Sequence, residues 1–520
     1  MKRIKLLITI IINKITEIVT YPFIVKILSY FSSYNQSNAS KSVLLEGFWH
    51  NYNHFFRLNV FLRGLFLKSN YKLIAILYKK DNSFRLFKLM GVKKFYFLED
   101  LPIQKKDIEQ AKNLLKKIKS HSEIFNLVLP YNIPIDIIYD TVSKDCRHPQ
   151  PDLNDKKWVE KLSDVFRLIR FYKKIFNENK IEHLILSHPY KNEYGVALWL
   201  AIKEKIKCYH LTGNYEVMRV KKFNKSEDFY QPFEALNYKK YLSLSKLKKD
   251  ELLKKSLNFF EFKKTSSNTD INHQLAYNIQ NNSSILKKFN IPKSRKVILV
   301  ACHSWYDFSH AFGMRNFTDF YDWIYEIINI IPEIKDVSWI FKTHPTENWY
   351  DGFKLNQLKL IIPKNVIILN NEYSIDQVLN ITNCVITYHG TIALEATSRG
   401  LPVLCADKSY YSDWNFCYVA SSRKLFIDKI KAIKKLRKPN IYQINKSKIF
   451  AYLSLGPNSN DLNEDEFTLP ADHLSKFILI QRMLTFIIFK NSILTKQYKL
   501  INRWINSDSE NLSIFQRTGL

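Results

Sequence analysis

The chain alternates short apolar runs with longer segments in which apolar residues recur at helical spacing. In the first half, the runs typical of strands are residues 43–48, 72–78, 93–99, 125–130, 183–188 and 207–211. Helical spacing covers residues 155–177 and 194–205. Because predicted strands and helices take turns along the chain, this half favours a doubly wound parallel sheet.

A second alternating block follows a Lys-, Asn- and Ser-rich interruption over residues 216–290. Its predicted strands are residues 297–301, 337–341, 365–369, 384–388 and 402–406, and its predicted helices are 316–330, 374–381 and 391–399. The two blocks predict an α/β fold of two Rossmann-like, doubly wound domains that face a central cleft, with helical N- and C-terminal extensions. In such sheets, ligands bind at the carboxyl ends of the strands.

This pattern also predicts the domain boundaries. They are 1–35 for an amphipathic N-terminal helix, 40–250 for the N-terminal domain, 251–290 for a linker, 291–440 for the C-terminal domain and 441–520 for C-terminal helices.

Both ends of the chain are rich in apolar residues. The uninterrupted apolar run 6–12 is too short to span a bilayer, and polar residues follow it where a signal peptide needs small ones. Over residues 4–19, apolar side chains share one helical face, which fits either an anionic membrane surface or another part of the protein. Lys476 and Arg482 interrupt residues 474–489, so that segment is predicted to dock on a domain.

Charge and composition narrow the functional classes. Lys and Arg number 79 against 48 Asp and Glu, and the resulting net charge of +31 favours anionic partners. No nucleic-acid-binding module accompanies this charge, so we expect no nucleic acid partner. The 6 cysteines form no C-x-x-C pair, which is typical of reduced thiols. With 11 glycines in 520 residues, the chain has no G-x-G-x-x-G motif, P-loop or nucleophile elbow.

The most informative stretch comes directly after the predicted strand 384–388. There His389, Gly390 and Thr391 lead at once into a predicted helix. Glycine permits a sharp turn and a close backbone approach, and the N-terminus of a helix attracts anions. We therefore predict a phosphate site at these three residues.

Glu395 follows one turn into the same predicted helix. With Thr391 as N-cap, Glu395 lies one residue beyond the position of a capping box. Two interpretations remain open for its carboxylate. It accepts hydrogen bonds from a ribose, or it pairs with Arg399 at i,i+4.

Lys342, His344 and Pro345 follow the predicted strand 337–341, so they lie at the same edge of the sheet. Proline favours an extended conformation for the residue before it. Lys342 and His344 are candidates to bind a diphosphate or to stabilise it as it leaves, which makes His344 a catalytic candidate.

The loop after the domain's first strand, residues 302–313, adds His303 and Asp307 as candidates. Trp305 or Tyr306 is a candidate to stack on a sugar or base, and the alternative is an ordinary packed loop.

In the first half, Glu46 and His50 lie at the end of the first predicted strand, and His188 lies at the end of the predicted strand 183–188. Each is a candidate general base for a substrate hydroxyl, and the sequence does not choose among them. No D-x-D motif and no His/carboxylate cluster appears, so no metal site is predicted.

The stretch TYHGTIALEATSRGLPVL and the upstream KTHP resemble the nucleotide-binding half of GT-B-fold glycosyltransferases of bacterial capsular and surface polysaccharide biosynthesis. The segments HSWYDFSHAFGMRNFTDFYDWI and SHPYKNEYGVALWLAIKEKIKCYHLTGN resemble the same type. The resemblance is good over residues 297–415, fair over 182–215 and faint elsewhere.

The resemblance implies a metal-independent transferase that moves a sugar from a nucleotide-activated donor to a glycan or lipid-linked glycan. The donor would contact His303, Asp307, Lys342, His344, Pro345, His389, Gly390, Thr391 and Glu395. The nucleotide-sugar would be a substrate, and no cofactor is expected. The enzyme would be cytoplasmic and peripheral on the inner face of the cytoplasmic membrane, and the first half would bind the acceptor.

Three alternatives remain. A polyol-phosphate transferase, of the kind that makes teichoic acids, would share the fold and the phosphate-binding histidine. A nucleotide-sugar 2-epimerase would also share the fold, but the membrane-leaning ends of this chain argue against it. A non-catalytic scaffold of a polysaccharide assembly complex would bind no nucleotide.

Overall fold

A computed structural model of the protein describes residues 36, 38–48, 52–80, 83–212, 217–230, 238–265, 284–349, 351–370, 372–455, 491–509 and 511–515. The predicted N-terminal helix, the apolar segment 474–489 and the base candidate His50 lie outside these residues.

The strands, in chain order, are β1 Ser42–Glu46, β2 Lys72–Leu77, β3 Lys94–Phe97, β4 Ile181–Leu186, β5 Lys207–Thr212, β6 Val217–Phe223, β7 Lys296–Ala301, β8 Val337–Lys342, β9 Val366–Leu369, β10 Cys384–Thr387, β11 Val403–Cys405, β12 Tyr418–Val419 and β13 Asn511–Phe515.

The α-helices are α1 Tyr52–Leu65, α2 Ser83–Leu89, α3 Lys105–Leu115, α4 His121–Ile124, α5 Ile135–Cys146, α6 Lys156–Glu178, α7 Asn192–Lys203, α8 Tyr238–Leu242, α9 Lys246–Thr265, α10 Ile285–Lys288, α11 Phe320–Ile330, α12 Ile375–Ile381, α13 Ile392–Ser398, α14 Arg423–Lys431, α15 Ile441–Leu455 and α16 Asn491–Ile505.

The chain divides into two compact units, each with its own sheet. Unit 1 takes in the described residues within 1–107, 164–229 and 457–520, and unit 2 takes in those within 108–163 and 230–456. The α/β class and the two mainly parallel sheets are as expected from the sequence.

The units are not the contiguous ranges that the sequence predicts. Residues 108–163, expected in the N-terminal domain, belong to unit 2, and the C-terminal α16 and β13 belong to unit 1. The expected linker 251–290 also begins inside α9, which packs against α15. Hydrophobic periodicity identifies elements, but it does not say which sheet a returning segment joins.

The sheet of unit 2 has the order β12-β11-β10-β7-β8-β9, and every pair in it is parallel. This is the Rossmann order, with its switch point between β7 and β10. Alternate residues of β7 enter different cores: Ile298 and Val300 join one apolar cluster, and Val297 and Leu299 join the other. Burial on both faces explains why this strand is continuously apolar.

The sheet of unit 1 has the order β13-β6-β5-β4-β1-β2-β3. The pairs from β3 to β5 are parallel, and β6 and β13 add two antiparallel pairs at one edge. Because β1 is followed by β2 on one side and pairs with β4 on the other, the switch point of this sheet lies between β1 and β4.

The prediction of a strand at residues 125–130 is wrong. This segment follows α4 as a turn, and Pro130 begins a 3-10 turn in which Tyr131 has a positive φ of 60°. Of its apolar side chains, Leu129 is buried while Val128 is 75% exposed, and the segment joins neither sheet. A short apolar run does not by itself establish a strand.

Candidate functional site

Two histidines meet at the switch point of the unit 2 sheet. His303 follows β7 and His389 follows β10, and β7 and β10 are hydrogen-bonded neighbours. Their rings lie 5.0 Å apart, edge to face, and the His389 backbone N–H points to His303 Nε2 at 3.5 Å. The topology of the sheet thus brings together two of the predicted donor-binding residues.

The turn after β10 is held by Thr387. Its hydroxyl lies 3.2 Å from His303 Nε2 and accepts the Gly390 N–H at 3.3 Å. A Cβ on residue 390 would lie 2.8 Å from Thr387 Oγ1 and 3.4 Å from His303 Cε1. Glycine is therefore required here by close approach, as the sequence predicts for this position.

Burial keeps both imidazoles neutral. It lowers the pKa of His389 to about 3, with a smaller contribution from His310, and it holds the pKa of His303 well below the usual range. His389 is 5% exposed, and within the described part of the chain its Nδ1 has no hydrogen-bond partner. A buried ring nitrogen without a partner costs about 1–3 kcal/mol, so a ligand that bonded to it would recover that energy.

Lys342 and His344 stand at the end of β8, beside β7. Lys342 Nζ donates to the carbonyl of Asn370 at 2.8 Å, and burial lowers its pKa to about 8. His344 Nδ1 lies 2.7 Å from Thr346 Oγ1 and accepts the Thr346 N–H at 3.3 Å, which leaves the proton of the neutral ring on Nε2. Burial lowers the pKa of His344 to about 4, so at neutral pH it is a hydrogen-bond donor and not a cation.

Pro345 opens a short 3-10 turn, Pro345–Trp349, directly after these two residues. Glu347 in that turn accepts the Trp305 Nε1–H at 2.9 Å, and Tyr306 OH donates to the carbonyl of Asp351. Both rings are buried, at 3% and 4% exposure. The packed-loop alternative therefore describes Trp305 and Tyr306, and neither ring is free to stack on a ligand.

Asp307 is exposed, and its carboxylate pairs with Lys144 of α5 at 2.5 Å. The predicted donor-binding role of Asp307 thus competes with an ion pair inside unit 2.

Thr391 directly precedes α13, and Glu395 lies within this helix. Thr391 is the N-cap residue, but its side chain makes no capping hydrogen bond, and the helix is only 7 residues long. Glu395 is buried, and Arg399 forms its ion pair with Asp376 of α12. The predicted i,i+4 partner of Glu395 is therefore engaged elsewhere.

Asp140 and Asp407 support the site and were not predicted. Asp140 of α5 accepts from His310 Nδ1 at 2.6 Å, while His310 Nε2 donates to the Thr318 carbonyl at 2.8 Å. His310 is buried, yet its pairing with Asp140 raises its pKa to about 9. Asp407, after β11, accepts the N–H groups of Arg315 and Asn316 at 2.8 Å each. No local pattern marks either acid, because each partner is distant in sequence.

A cavity of about 620 Å³ opens within unit 2, beside the loop that follows β7. Its walls combine apolar residues of the segment 125–135 with His310, Arg315, Phe317 and Arg423. Phe312, in the same loop, packs against the His389 ring at 5.0 Å. One loop therefore contributes both to the cavity and to the surroundings of the histidine pair.

The switch point of unit 1 carries a buried carboxyl group. Glu46, the last residue of β1, accepts the Phe48 N–H at 2.5 Å and the Ser187 N–H at 2.8 Å, and it also accepts the Ser187 hydroxyl. Burial raises its pKa to about 7 although these hydrogen bonds oppose the shift. Among the three base candidates, Glu46 thus has a pKa suited to proton transfer at neutral pH.

His188 follows β4 next to Ser187, and its Nδ1 accepts the Tyr190 N–H at 3.2 Å. His210, in β5, lies with Nε2 3.1 Å from the Ser187 carbonyl, and burial lowers its pKa to about 3. Glu46 of β1 and His210 of β5 thus contact Ser187 from the two strands beside β4, and His188 follows Ser187 in the chain.

The described residues contain no group of three or more His, Cys, Asp or Glu side chains that could hold a metal ion. None of their helices has the length and apolar character needed to cross a bilayer.

No family model and no curated protein matches the sequence. Solved structures do match. A putative UDP-N-acetylglucosamine 2-epimerase of Listeria monocytogenes is 10% identical to this chain. The match covers 87% of this chain and 97% of the epimerase, with a TM-score of 0.26. KpsC of Thermosulfurimonas dismutans, a β-Kdo 2,4 transferase, is 12% identical over 53% of this chain and 85% of its own, with a TM-score of 0.33. The wall teichoic acid polymerase TagF is 12% identical over 92% of this chain and 97% of its own, with a TM-score of 0.24.

At these identities and TM-scores, the similarities carry no argument about this chain's activity. The fold assignment rests on the strand orders and registers of the two sheets.

Proposed function

We propose that this protein is a glycosyltransferase that moves a sugar from a nucleotide-activated donor to a growing surface polysaccharide or glycolipid. One observation carries the proposal. A buried nitrogen of His389, which has no hydrogen-bond partner among the described residues, lies beside a glycine turn at the switch point of a Rossmann-ordered sheet, where such sheets bind ligands.

In this proposal, unit 2 binds the donor. The Gly390 turn lets the backbone approach a phosphate, and the rings of His303, His344 and His389 supply hydrogen bonds as neutral groups. A phosphate next to a neutral imidazole raises the pKa of that imidazole from its lowered value. Glu395 stays the candidate for the ribose.

Unit 1 supplies the general base. Glu46 takes the proton of the acceptor hydroxyl as the hydroxyl oxygen attacks the anomeric carbon and the nucleotide leaves. A carboxyl group with a pKa of about 7 is a stronger base than an ordinary carboxylate, and it is still substantially ionised at neutral pH.

The remaining parts of the proposal follow the sequence. The acceptor is a glycan or a lipid-linked glycan at the cytoplasmic face of the membrane. The reaction uses no metal and no cofactor, and full activity in the presence of EDTA is the expected result. Nucleic acid is not a partner.

Nucleotide binding tests the proposal directly. We expect the full chain to bind at least one of UDP, GDP, CDP and CMP in titration calorimetry. At 100 times its dissociation constant, the nucleotide should stabilise the chain by about 2.7 kcal/mol. Replacing His389 with alanine should weaken binding by about tenfold or more, because a hydrogen bond to a charged phosphate is lost.

His121→Ala is the matched control, since His121 also belongs to unit 2 and bonds to the carbonyl of Pro151. Absence of nucleotide binding would favour a scaffold. A phosphodiester signal in the phosphorus NMR spectrum of the product would instead identify polyol-phosphate transfer.

A further inference from the structure

The amino ends of three strands of unit 2 lie side by side. Lys296, the first residue of β7, pairs with Val337, the first residue of β8, and Trp339 pairs with Val366, the first residue of β9. Neighbouring strands are about 4.8 Å apart, so the residues that precede these strands form one continuous surface.

The end of α14 and the turn after it join this surface. Lys296 Nζ donates to the carbonyl of Lys434 at 2.8 Å, and Lys434 Nζ donates to the carbonyl of Lys335 at 3.1 Å. We call the ranges 293–296, 333–336, 359–364 and 431–438 together the amino-end surface.

The amino-end surface is strongly basic. Its exposed cations are Lys293, Arg295, Lys296, Lys335, Lys359, Lys364, Lys431, Lys434, Lys435, Arg437 and Lys438. Against these 11 basic residues stand 2 acidic ones, a formal excess of 9 positive charges. Glu333 and Asp336 are those acids, and they pair with Lys431 and Lys434 at 2.8 and 3.9 Å.

Two apolar side chains, which we call the apolar tip, are exposed in the segment of this surface that precedes β9. Leu360 is 99% exposed and Ile361 is 44% exposed, whereas Ile362 is buried in the core. Lys359 and Lys364 flank the tip in sequence. A soluble polyanion would use the cations and gain nothing from the two apolar side chains, while a bilayer uses both.

We propose that the amino-end surface docks on an anionic lipid bilayer, with the cations at the headgroups and Leu360 and Ile361 inserted between them. This surface lies at the amino ends of the strands, whereas the histidine pair lies at their carboxyl ends. Docking therefore leaves the candidate donor site open. The proposal is independent of the transfer reaction, since it rests on charge and exposure at the other edge.

Vesicle sedimentation with the full chain tests the proposal. We expect binding to phosphatidylcholine vesicles that contain phosphatidylglycerol, no binding to phosphatidylcholine alone, and weaker binding as salt is added. The triple reversal Lys335→Glu, Lys364→Glu and Lys438→Glu should lower the partition coefficient by about tenfold or more.

The matched control reverses the same number of exposed charges on α9, at Lys246, Lys248 and Lys254. We expect a loss of about threefold at most there, because those charges would act only through the screened field of the protein. Circular dichroism melts check that both variants fold. Equal losses in the two triple variants, or no lipid-dependent binding of the wild type, would overturn the proposal.

The apolar tip has its own test. Leu360→Ser with Ile361→Ser should lower binding by about fivefold and should do so at high salt as well, because insertion is not screened. Leu247→Ser, at a leucine of α9 that is 80% exposed, should leave binding unchanged. If the serine variant binds vesicles like the wild type while the triple reversal also abolishes binding to heparin or DNA, the surface recognises polyanions and the membrane proposal fails.

Discussion

Burial shifts the titratable groups at the two switch points in opposite directions. In unit 1 it raises the pKa of Glu46 to about 7, and in unit 2 it lowers the pKa of His389 to about 3. The physical cause is the same, since a low-dielectric environment disfavours whichever form is charged. The result is a proton acceptor at the switch point of unit 1 and a neutral hydrogen-bonding ring at the switch point of unit 2.

The difference lies in the partners. Glu46 accepts hydrogen bonds from Phe48 and Ser187, which limit how far its pKa rises. His389 Nδ1 has no such partner among the residues that the structure describes. A group whose hydrogen bonds are already made suits a fixed chemical role, whereas one with an open position suits a ligand.

The largest expected effect is on catalysis at Glu46. Glu46→Gln removes the base but keeps the shape of the side chain, so the transfer rate should fall by about 10²–10⁴-fold. Glu204→Gln, at an exposed acid directly after α7 that pairs with Lys173, should change the rate by less than about threefold. Wild-type activity in Glu46→Gln would assign the proton transfer to another residue.

Glu46 also predicts a pH profile. Only the ionised carboxylate accepts a proton, so kcat/KM should rise with pH through about 7. Stability should change in the opposite sense. Because the folded pKa lies above the usual carboxyl value of 4.5, this group's contribution to the free energy of unfolding is full below pH 4.5 and is lost as the pH rises to about 7. The difference in unfolding free energy between wild type and Glu46→Gln, measured by denaturant titration, checks the sign.

A second prediction concerns His310 of unit 2, whose imidazole pairs with the carboxylate of Asp140. His310 has a folded pKa of about 9, above the usual imidazole value of 6.5. Its stabilising contribution is therefore full below pH 6.5 and is lost as the pH rises to 9, with an upper bound of about 3 kcal/mol. Denaturant titrations of wild type and His310→Gln at pH 6 and about pH 9 give this term as a difference.

If that difference is the same at both pH values, the Asp140–His310 pair is not ionic. His310 and His389 would then not differ in charge at neutral pH.

Of intermediate size is the contrast between two glycines at the switch points. Gly47→Ala places a Cβ 2.3 Å from Leu77 and 2.5 Å from Phe87 in the unit 1 core, so we expect a loss of about 1–3 kcal/mol of stability. Gly390→Ala meets Thr387 Oγ1 instead, which disturbs the hydrogen bond to His303. Here nucleotide affinity should fall more than stability. Calorimetry and thermal melts of both variants separate the two effects, and a reversed ranking would contradict the site assignment.

The smallest expected effect compares two helix starts in unit 2. Ser374 caps α12 with a full capping box, so Ser374→Ala should cost about 1 kcal/mol of stability. Thr391 makes no capping bond, so Thr391→Ala should cost less than about 0.5 kcal/mol. Thermal melts measure both, and a larger loss at Thr391 would show that its hydroxyl does cap the turn.

Much of the fold could be predicted from apolar periodicity. The strongly apolar strands β1, β2, β4, β7, β8 and β10 lie within a residue or two of the predicted ranges. Strands β6 and β13 were missed because they form an antiparallel edge with polar residues such as Lys221, Lys222 and Asn511. An edge of this kind lacks the continuous apolar run that identifies a strand buried on both faces.

The site divides in the same way. Gly390 and Glu46 could be predicted, because glycine after a buried strand and an acid at a strand end are local signals. Asp140 could not, since its role exists only through His310, 170 residues away. The charge state of His344 was also not predictable, because burial and not sequence sets its pKa.

The interleaved course of the chain has a consequence for its synthesis. The ribosome makes β1 to β6 before the sheet strands of unit 2, yet β13, which pairs with β6, and α16, which packs on α1, are made after them. Until then, β6 lacks the strand β13 that pairs with it, and the face of α1 that α16 covers is without that helix. Unit 2 has all of its described strands before α16 is translated. The described strands of unit 2 can therefore pair earlier in translation, while the sheet of unit 1 is complete only once residues 511–515 have been made.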